Sequence, residues 1–352
     1  MKKNILNFLK FVCFVVLVFA LWNYKLVFYG VGQLNGQLKI LCKTVPVAEV
    51  INNPGTDKVV KEKLLLVEEI RRFAMDSLGL KNSDNYTTFY DQKDKPLMWV
   101  VTGCKPYSLE AKKWNFPFVG EVSYKGFFKE HRAKKEELLV RQQGYETDIY
   151  SPSAWSTLGY FTDPVLSNIL KRGPGRIADL IIHELTHTTI YLESSVDFNE
   201  NFATFIGEKG AERFLNFKFG VGSEESIKFR NYLDDEETYS GYMMLSARNL
   251  DSLYKSFSPT LSTKEKANLK FKKIADIMLG LGNLNFHSPQ RYKHDFVKNG
   301  LPNNTDFMSF LRYRKKQDDF SKVFIEQYDS DLKAFMADVV QKSEKGEVLP
   351  FE

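Results

Sequence analysis

Apolar residues recur every three to four positions between Asp57 and Leu80, with Leu64, Val67, Ile70, Phe73 and Ala74 on one face. This spacing predicts an amphipathic helix. Short runs with strand character follow at Tyr86 to Tyr90, Leu97 to Thr102 and Phe118 to Tyr124, each bounded by polar or Pro/Gly residues. A charged segment from Gly126 to Gln143 reads as helix, and Tyr145 to Tyr150 and Trp155 to Thr162 read as extended. Asp163-Pro164 has the form of a helix start, with Asp as N-cap and Pro at the first helical position. From Gly175 onward the pattern is almost wholly helical, at about 176–193, 198–219, 223–256, 262–281, 306–316 and 319–342. The predicted fold class is therefore α+β: a small β-sheet-containing N-terminal half and a mostly helical C-terminal half. The lobe boundary is expected at Gly173-Pro174-Gly175, giving a β-containing lobe over 30–174 and a helical lobe over 175–352.

The N-terminus departs from this pattern. Met1-Lys2-Lys3 and Lys10 precede an apolar run from Phe11 to Trp22, and apolar character resumes at Leu26 to Tyr29. The run is short for a membrane span and suits a signal-peptide core, yet no small-x-small cleavage site follows it. Read from Ile5 to Tyr29, with lysines snorkelling, the segment could cross a thin bilayer. Residues 1–29 are thus expected to form a membrane anchor, with a cleaved signal as the alternative and a buried N-terminal helix of a cytosolic protein as the third reading. The leading lysines would stay in the cytoplasm and place the rest of the chain, residues 30–352, outside it.

Composition narrows the class. Hydrophobic residues make up 43% and charged residues 26% of 352 positions, which is ordinary for a folded globular chain. The net charge of +5 is a small, dispersed excess and argues against a nucleic-acid partner. Of the three cysteines, Cys13 falls in the apolar segment, while Cys42 and Cys104 could pair if exported.

The chemistry concentrates at His183-Glu184-Leu185-Thr186-His187, an HExxH sequence inside a predicted helix that is apolar nearly all round. Residues four apart share a helical face, so both imidazoles can reach one ion. Glu184 is angled toward the open coordination position, where it can take a proton from the attacking water. Three protein ligands with one open position are the pattern of a catalytic Zn2+ site, so a third donor is needed. Glu200 suits that role. At 1.5 Å rise per residue, His187 lies about 9 Å before the turn between the two helices and Glu200 about 5 Å after it, roughly level once they fold together. Ala203 and Thr204 on the same face are small enough to let the helices approach. The competing reading of Glu200 is a capping box, Asp197-Phe198-Asn199-Glu200, and Glu193, Asp197 and Glu208 are rival donors.

The HExxH followed by Asn199-Glu200-x-Phe202-Ala203 resembles the gluzincin metallopeptidases, whose second helix supplies a glutamate in an Asn-Glu-x-Phe-Ala setting. More closely, the chain resembles a family of bacterial aminopeptidases of the cell envelope. The resemblance takes in Gly32-Gln33-Leu34-Asn35-Gly36-Gln37-Leu38, Phe116 to Gly120, Tyr124 to Phe128, Ser156 to Leu166 and Asn303-Asn304 with Tyr313. It implies gluzincin-like active-site helices, zinc-dependent hydrolysis and a peptide substrate. Two departures stand out. Many relatives look like lipoproteins with a modified Cys before the Gly-Gln-Leu region, which this chain lacks, so a transmembrane anchor would replace the lipid. The Gly-x-Met-Glu-Asn signature, by which a better-known aminopeptidase family grips the substrate's amine, is also absent. Aminopeptidase specificity thus rests on the resemblance, and zinc hydrolysis on the residues.

Oxyanion stabilisation would need a phenol or imidazole, with Tyr313 the first candidate and His287 or His294 next. The extended segment carrying Ser156, Thr157, Leu158 and Gly159 resembles the edge strand on which zinc peptidases align substrate backbone. The leading expectation is an aminopeptidase. A membrane-anchored endopeptidase and a non-catalytic zinc-binding envelope protein are the alternatives, and Glu184 speaks against the last.

Overall fold

The computed structural model describes residues 21–116, 120–152, 162–193, 195–293, 300–310 and 317–347, with isolated positions 7, 10, 14 and 18. Helix α1 (Tyr24–Leu41) leads into β1 (Val45–Pro46) and the short α2 (Val47–Asn52). The expected amphipathic helix is α3 (Lys58–Asp76). Asp57 caps it by accepting from the Val59 and Val60 amides, and Leu64, Val67, Ile70 and Ala74 are buried. Strands β2 (Thr88–Tyr90), β3 (Trp99–Cys104), β4 (Trp114–Phe116), β5 (Gly120–Val122) and β6 (Tyr124–Phe127) follow. Next come α4 (Glu130–Gln142), β7 (Glu146–Tyr150) and β8 (Val165–Leu166). The chain then becomes helical through α5 (Pro174–Thr189), α6 (Val196–Phe219), α7 (Glu224–Lys255) and α8 (Thr263–Leu281). The last helices are α9 (Asn304–Phe310), α10 (Gln317–Tyr328) and α11 (Leu332–Lys345). The α+β expectation holds.

The strands form small separate sheets. β6-β3-β7 is antiparallel, with Val100 opposite Gly126 and Val101 opposite Ile149. β1-β2-β8 pairs β2 with β8 in parallel, Phe89 opposite Val165. β4 and β5 make a hairpin. The main core gathers α3, α5, α6, α10 and α11 with β2 and β8, so it draws on both sides of Gly173-Pro174-Gly175. A second cluster joins α7, α8 and α9, and a third lies between α4 and the sheet around β3.

Three local expectations are corrected. The run from Phe118 to Tyr124 is not one strand: β5 and β6 sit in different sheets. Asp163-Pro164 does not open a helix but enters β8. The Asp163 amide donates to the Asn85 side chain and its carbonyl accepts from the Tyr86 amide, which holds the backbone extended. The helix expected over 319–342 is two, because Asp329 and Ser330 adopt left-handed φ of 46° and 60° and Asp331 caps the next helix through the Lys333 and Ala334 amides. Cys42 is exposed, whereas Cys104 is buried with its Sγ donating to the Ser108 carbonyl at 3.4 Å, so the two do not form a disulfide with each other. The strand expected at Trp155 to Thr162 lies almost entirely outside the described residues. Among the described residues no helix is long and apolar enough to cross a membrane, and most of residues 1–20 fall outside them.

Candidate metal centre

Helix α5 starts where Gly173 and Pro174 stop any upstream helix, with Pro at the first position. It buries Ile177, Ala178, Ile181, Ile182 and Leu185 in the main core, as the stripe along it predicts. That burial fixes the rotation of the helix, and His183 and His187 project together on the remaining face. Their Nε2 atoms are 3.1 Å apart. A short turn leads to α6, whose Glu200 places Oε2 3.7 Å from the His183 Nε2 and Oε1 3.6 Å from the His187 Nε2.

These distances fit a shared cation. Ligand bonds of about 2.0–2.2 Å in a tetrahedron put donor atoms about 3.3–3.6 Å apart, close to the observed triangle sides of 3.1, 3.6 and 3.7 Å. Among the described residues these three form the one cluster of histidine, cysteine and acidic groups able to hold a metal ion. The rival donors fall elsewhere. Glu193 is exposed, Glu208 lines a different cavity, and Asp197 lies in the first turn of α6 outside the triad. The capping-box reading of Glu200 does not hold: the helix begins at Val196 after Ser195, with no side-chain cap bond, and the carboxylate turns to the imidazoles.

Electrostatics suit ligation at His187 and Glu200, whereas a metal must displace a proton that the surrounding carboxylates favour on His183. Burial, reinforced by His183, pushes the His187 imidazole down to about 4 against the pull of Glu200, so the ring is neutral at ordinary pH. Burial opposes the charge on His183, yet Glu200, Glu184 and Asp179 outweigh it and raise its pKa. Glu200 is held below its usual value: burial works against its ionisation, but the two imidazoles win. The His187 Nδ1 is buried with no hydrogen-bond partner among the described residues, so the outer support that usually orients a ligating ring is not among them.

The apolar pattern of the sequence does not mark the contacts that hold the two helices together. Asn199 donates from Nδ2 to the Leu192 carbonyl and accepts from the Leu192 amide at Oδ1, both at 2.8 Å, pinning the turn between α5 and α6. Gly207 and Gly210 set the spacing. A Cβ at Gly207 would lie 2.7 Å from the Asp179 Oδ1, 2.9 Å from the Asp179 backbone oxygen and 3.2 Å from the His183 Cβ. A Cβ at Gly210 would meet Leu78 and Ile182 at under 3 Å. Ala203 is also buried, so the small-residue signal was present in the sequence but extends a turn and more beyond Ala203 and Thr204. On the other side of α6, Phe202 and Phe205 pack on Phe335 at 5.7 and 5.9 Å between ring centres.

Glu200 and Asp197 line a cavity of about 660 Å³ between α6, α7, α9 and the strands β3, β5 and β7. Among the described residues its charged lining is mostly acidic, with Glu121, Asp148 and Asp306 as well, against Lys113. Tyr124 also lines it. Tyr124 is 54% exposed as a whole, but desolvation at its phenol, then Glu200, then Tyr191 push its pKa up, placing it in the electrostatic reach of the triad. The tyrosine sits at the start of β6, in a segment the sequence comparison already marked, without a role. His287 is half-exposed, 3.7 Å from Asp234, which lines a different cavity, so it is not brought to the triad. Tyr313, His294 and the segment Ser156, Thr157, Leu158 and Gly159 lie outside the described residues.

Among the described residues the site offers two imidazoles and one carboxylate beside a cleft, the makeup of a hydrolytic centre more than of a structural one, which would close all four positions. The chain belongs to the family described as Putative aminopeptidase, whose model matches residues 28–347. Peptide hydrolysis is the activity that family membership supports. No curated protein and no solved structure matches the chain.

Proposed function

We propose that the chain is a zinc-dependent aminopeptidase of the gluzincin type, held by its N-terminal segment at the outer side of the cytoplasmic membrane. The observation that carries the reading is the triangle of His183, His187 and Glu200 at the edge of an acidic cleft. Two nitrogen donors and one carboxylate, with a position left open, favour zinc among divalent metals. A zinc ion held there would acidify water and polarise the scissile carbonyl. Glu184 follows the first ligand by one position, so its carboxylate is offset from the ligand face by about 100° of helix rotation. From there it takes the proton of the attacking water and passes it to the leaving amine. The acidic lining of the cleft suits the ammonium group of an unblocked peptide, which supports the exopeptidase reading over the endopeptidase one.

The test combines metal analysis with a peptide panel. Glu184→Gln is expected to keep one zinc per chain and lose hydrolysis by several orders of magnitude, whereas Glu200→Ala is expected to lose the metal. Acetylating the substrate's N-terminus is expected to stop cleavage. Hydrolysis by Glu184→Gln at the parent rate would sink the mechanism, and cleavage of blocked peptides would leave an endopeptidase.

A further inference from the structure

Helix α1 buries Ile40 and packs the Tyr29 ring inward but leaves a second set of apolar side chains turned outward. A helix on the surface of a soluble protein turns its apolar stripe to the core. Here the face that packs on the protein carries Tyr29, Gly32, Gln33 and Gly36. The Tyr29 hydroxyl donates to the Gly126 carbonyl at 3.1 Å and the Gln33 Nε2 to the same oxygen at 2.8 Å. The two glycines permit the contact: a Cβ at Gly36 would fall 2.0 Å from the Phe128 ring and one at Gly32 2.6 Å from the Arg132 guanidinium. This accounts physically for the Gly-Gln-Leu-Asn-Gly-Gln-Leu segment, to which the proposed peptidase chemistry gives no role.

The opposite face carries Tyr24, Val27, Phe28, Val31, Leu34 and Leu38, all exposed, Phe28 at 65% and Val31 at 58%. At 3.6 residues per turn these six fall within about 120° of the helix circumference, a stripe about 21 Å long interrupted by the exposed Asn35. An apolar surface of that extent on a soluble protein marks a contact site. Two features identify the contact as lipid. Residues 1–48 contain six lysines and no acidic residue, the first being Glu49, although the whole chain carries 44 acids. Lys25 and Lys39 are exposed beside the stripe. The stripe also continues directly from the apolar run Phe11 to Trp22, with Trp22 and Tyr24 at the junction, where aromatic side chains favour the headgroup level.

We infer that α1 lies along the bilayer surface with Tyr24, Phe28, Val31 and Leu38 among the acyl chains and its lysines at anionic headgroups, so that the catalytic body is docked on the membrane in a fixed orientation through β6. The inference rests on the anchoring part of the proposed function and is independent of the peptidase chemistry.

The test uses the full chain in vesicles of phosphatidylcholine and phosphatidylglycerol, with Cys13 and Cys42 replaced by serine and the buried Cys104 retained. A bimane label is placed singly through Val31→Cys, Leu38→Cys, Phe14→Cys and Val221→Cys, the last at an 87% exposed position on the body. Nitroxide-bearing acyl chains are expected to quench the labels at 31 and 38 several-fold more than at 221, and aqueous iodide the reverse. Labels at 31 and 38 as open to iodide as the one at 221 overturn the inference. Lipid quenching at 14 alone leaves the anchor standing without it, and failure to sediment with vesicles removes both. Shielding from both quenchers that fades on dilution assigns the face to a second copy of the chain, which also overturns it.

Discussion

Tyr124 and Asp148 face the same cavity as Glu200 and carry opposite consequences. The Tyr124 phenol stays protonated, since burial and Glu200 both oppose its ionisation, which leaves it a hydrogen-bond donor at neutral pH. Tyr124→Phe is therefore expected to lower kcat by about 10²-fold, the scale of one lost oxyanion donor, with zinc content unchanged. A kcat equal to the parent removes Tyr124 from the mechanism. Asp148 is pushed above the usual carboxylate range by burial first and then by Asp306. A carboxyl raised in the folded state contributes stability that is complete below its unfolded pKa and is lost as pH rises through the folded value. Ionised Asp148 is thus a cost to the fold at neutral pH. Asp148→Asn is expected to raise Tm at neutral pH, with the gain shrinking to nothing as pH falls toward the unfolded value of about 3.9. Melting curves across that range check the sign. At this scale the sequence showed His183, Glu184, His187 and Glu200 clearly, because a fixed helical spacing carries the geometry. Tyr124 and Asp148 were opaque, since they reach the cavity from strands whose register no local pattern specifies.

The α5–α6 pair is where packing becomes ligand geometry. His183 and Glu200 belong to different helices, and their separation is fixed by how closely those helices approach at Gly207 and Gly210. Gly207→Val would press a side chain on the Asp179 backbone oxygen and the His183 Cβ, at an expected cost of about 1–3 kcal/mol of overpacking. The same displacement moves Glu200 off the triangle, and zinc affinity is expected to fall by about 10-fold or more. Gly241 offers a control: it is helical, nothing lies within 4 Å of its would-be Cβ, and Gly241→Ala is expected to leave zinc binding untouched. Chelator competition separates the two, and equal affinities for both variants would free the site from the glycine contact. The helices themselves were legible because a repeat of three to four residues is long-range information within one element. The break at Asp329-Ser330 was not, because two non-glycine residues in left-handed conformation leave no mark in an apolar pattern. Nor was the strand at Val165, which is held by the Asn85 side chain from far along the chain.

The whole molecule depends on joining a strand-bearing part to a helical one across the cleft, and a buried polar network does this. Lys270, 8% exposed, reaches Glu146 on β7 and donates to the Pro106 carbonyl at 2.9 Å. Glu146 also accepts from the Asn304 amide at 2.9 Å, and the Asn304 side chain accepts from the Tyr254 hydroxyl at 2.7 Å and donates to the Lys105 carbonyl at 2.7 Å. Five segments meet there, at Lys105-Pro106, Glu146, Tyr254, Lys270 and Asn304, so the α+β division was visible in the chain but its connection was not. Asn303-Asn304 gave the one sequence hint, and the Asn303 side chain indeed bonds the Thr147 carbonyl. Burial pulls the Lys270 ammonium below its usual pKa, against Glu146, so the pair is costly to bury and costlier to halve. Lys270→Met strands the Glu146 charge and is expected to lose about 3–5 kcal/mol of stability. The double variant Lys270→Met, Glu146→Gln keeps an acceptor for Asn304 without the charge and is expected to recover most of it. Because β7 carries Asp148 and Tyr150 and α9 carries Thr305 and Asp306 into the cavity wall, loosening this joint is expected to raise KM more than it lowers kcat. Equal melting of the single and double variants would mean that the network does not join the two parts, and that the cleft is held by the apolar clusters alone.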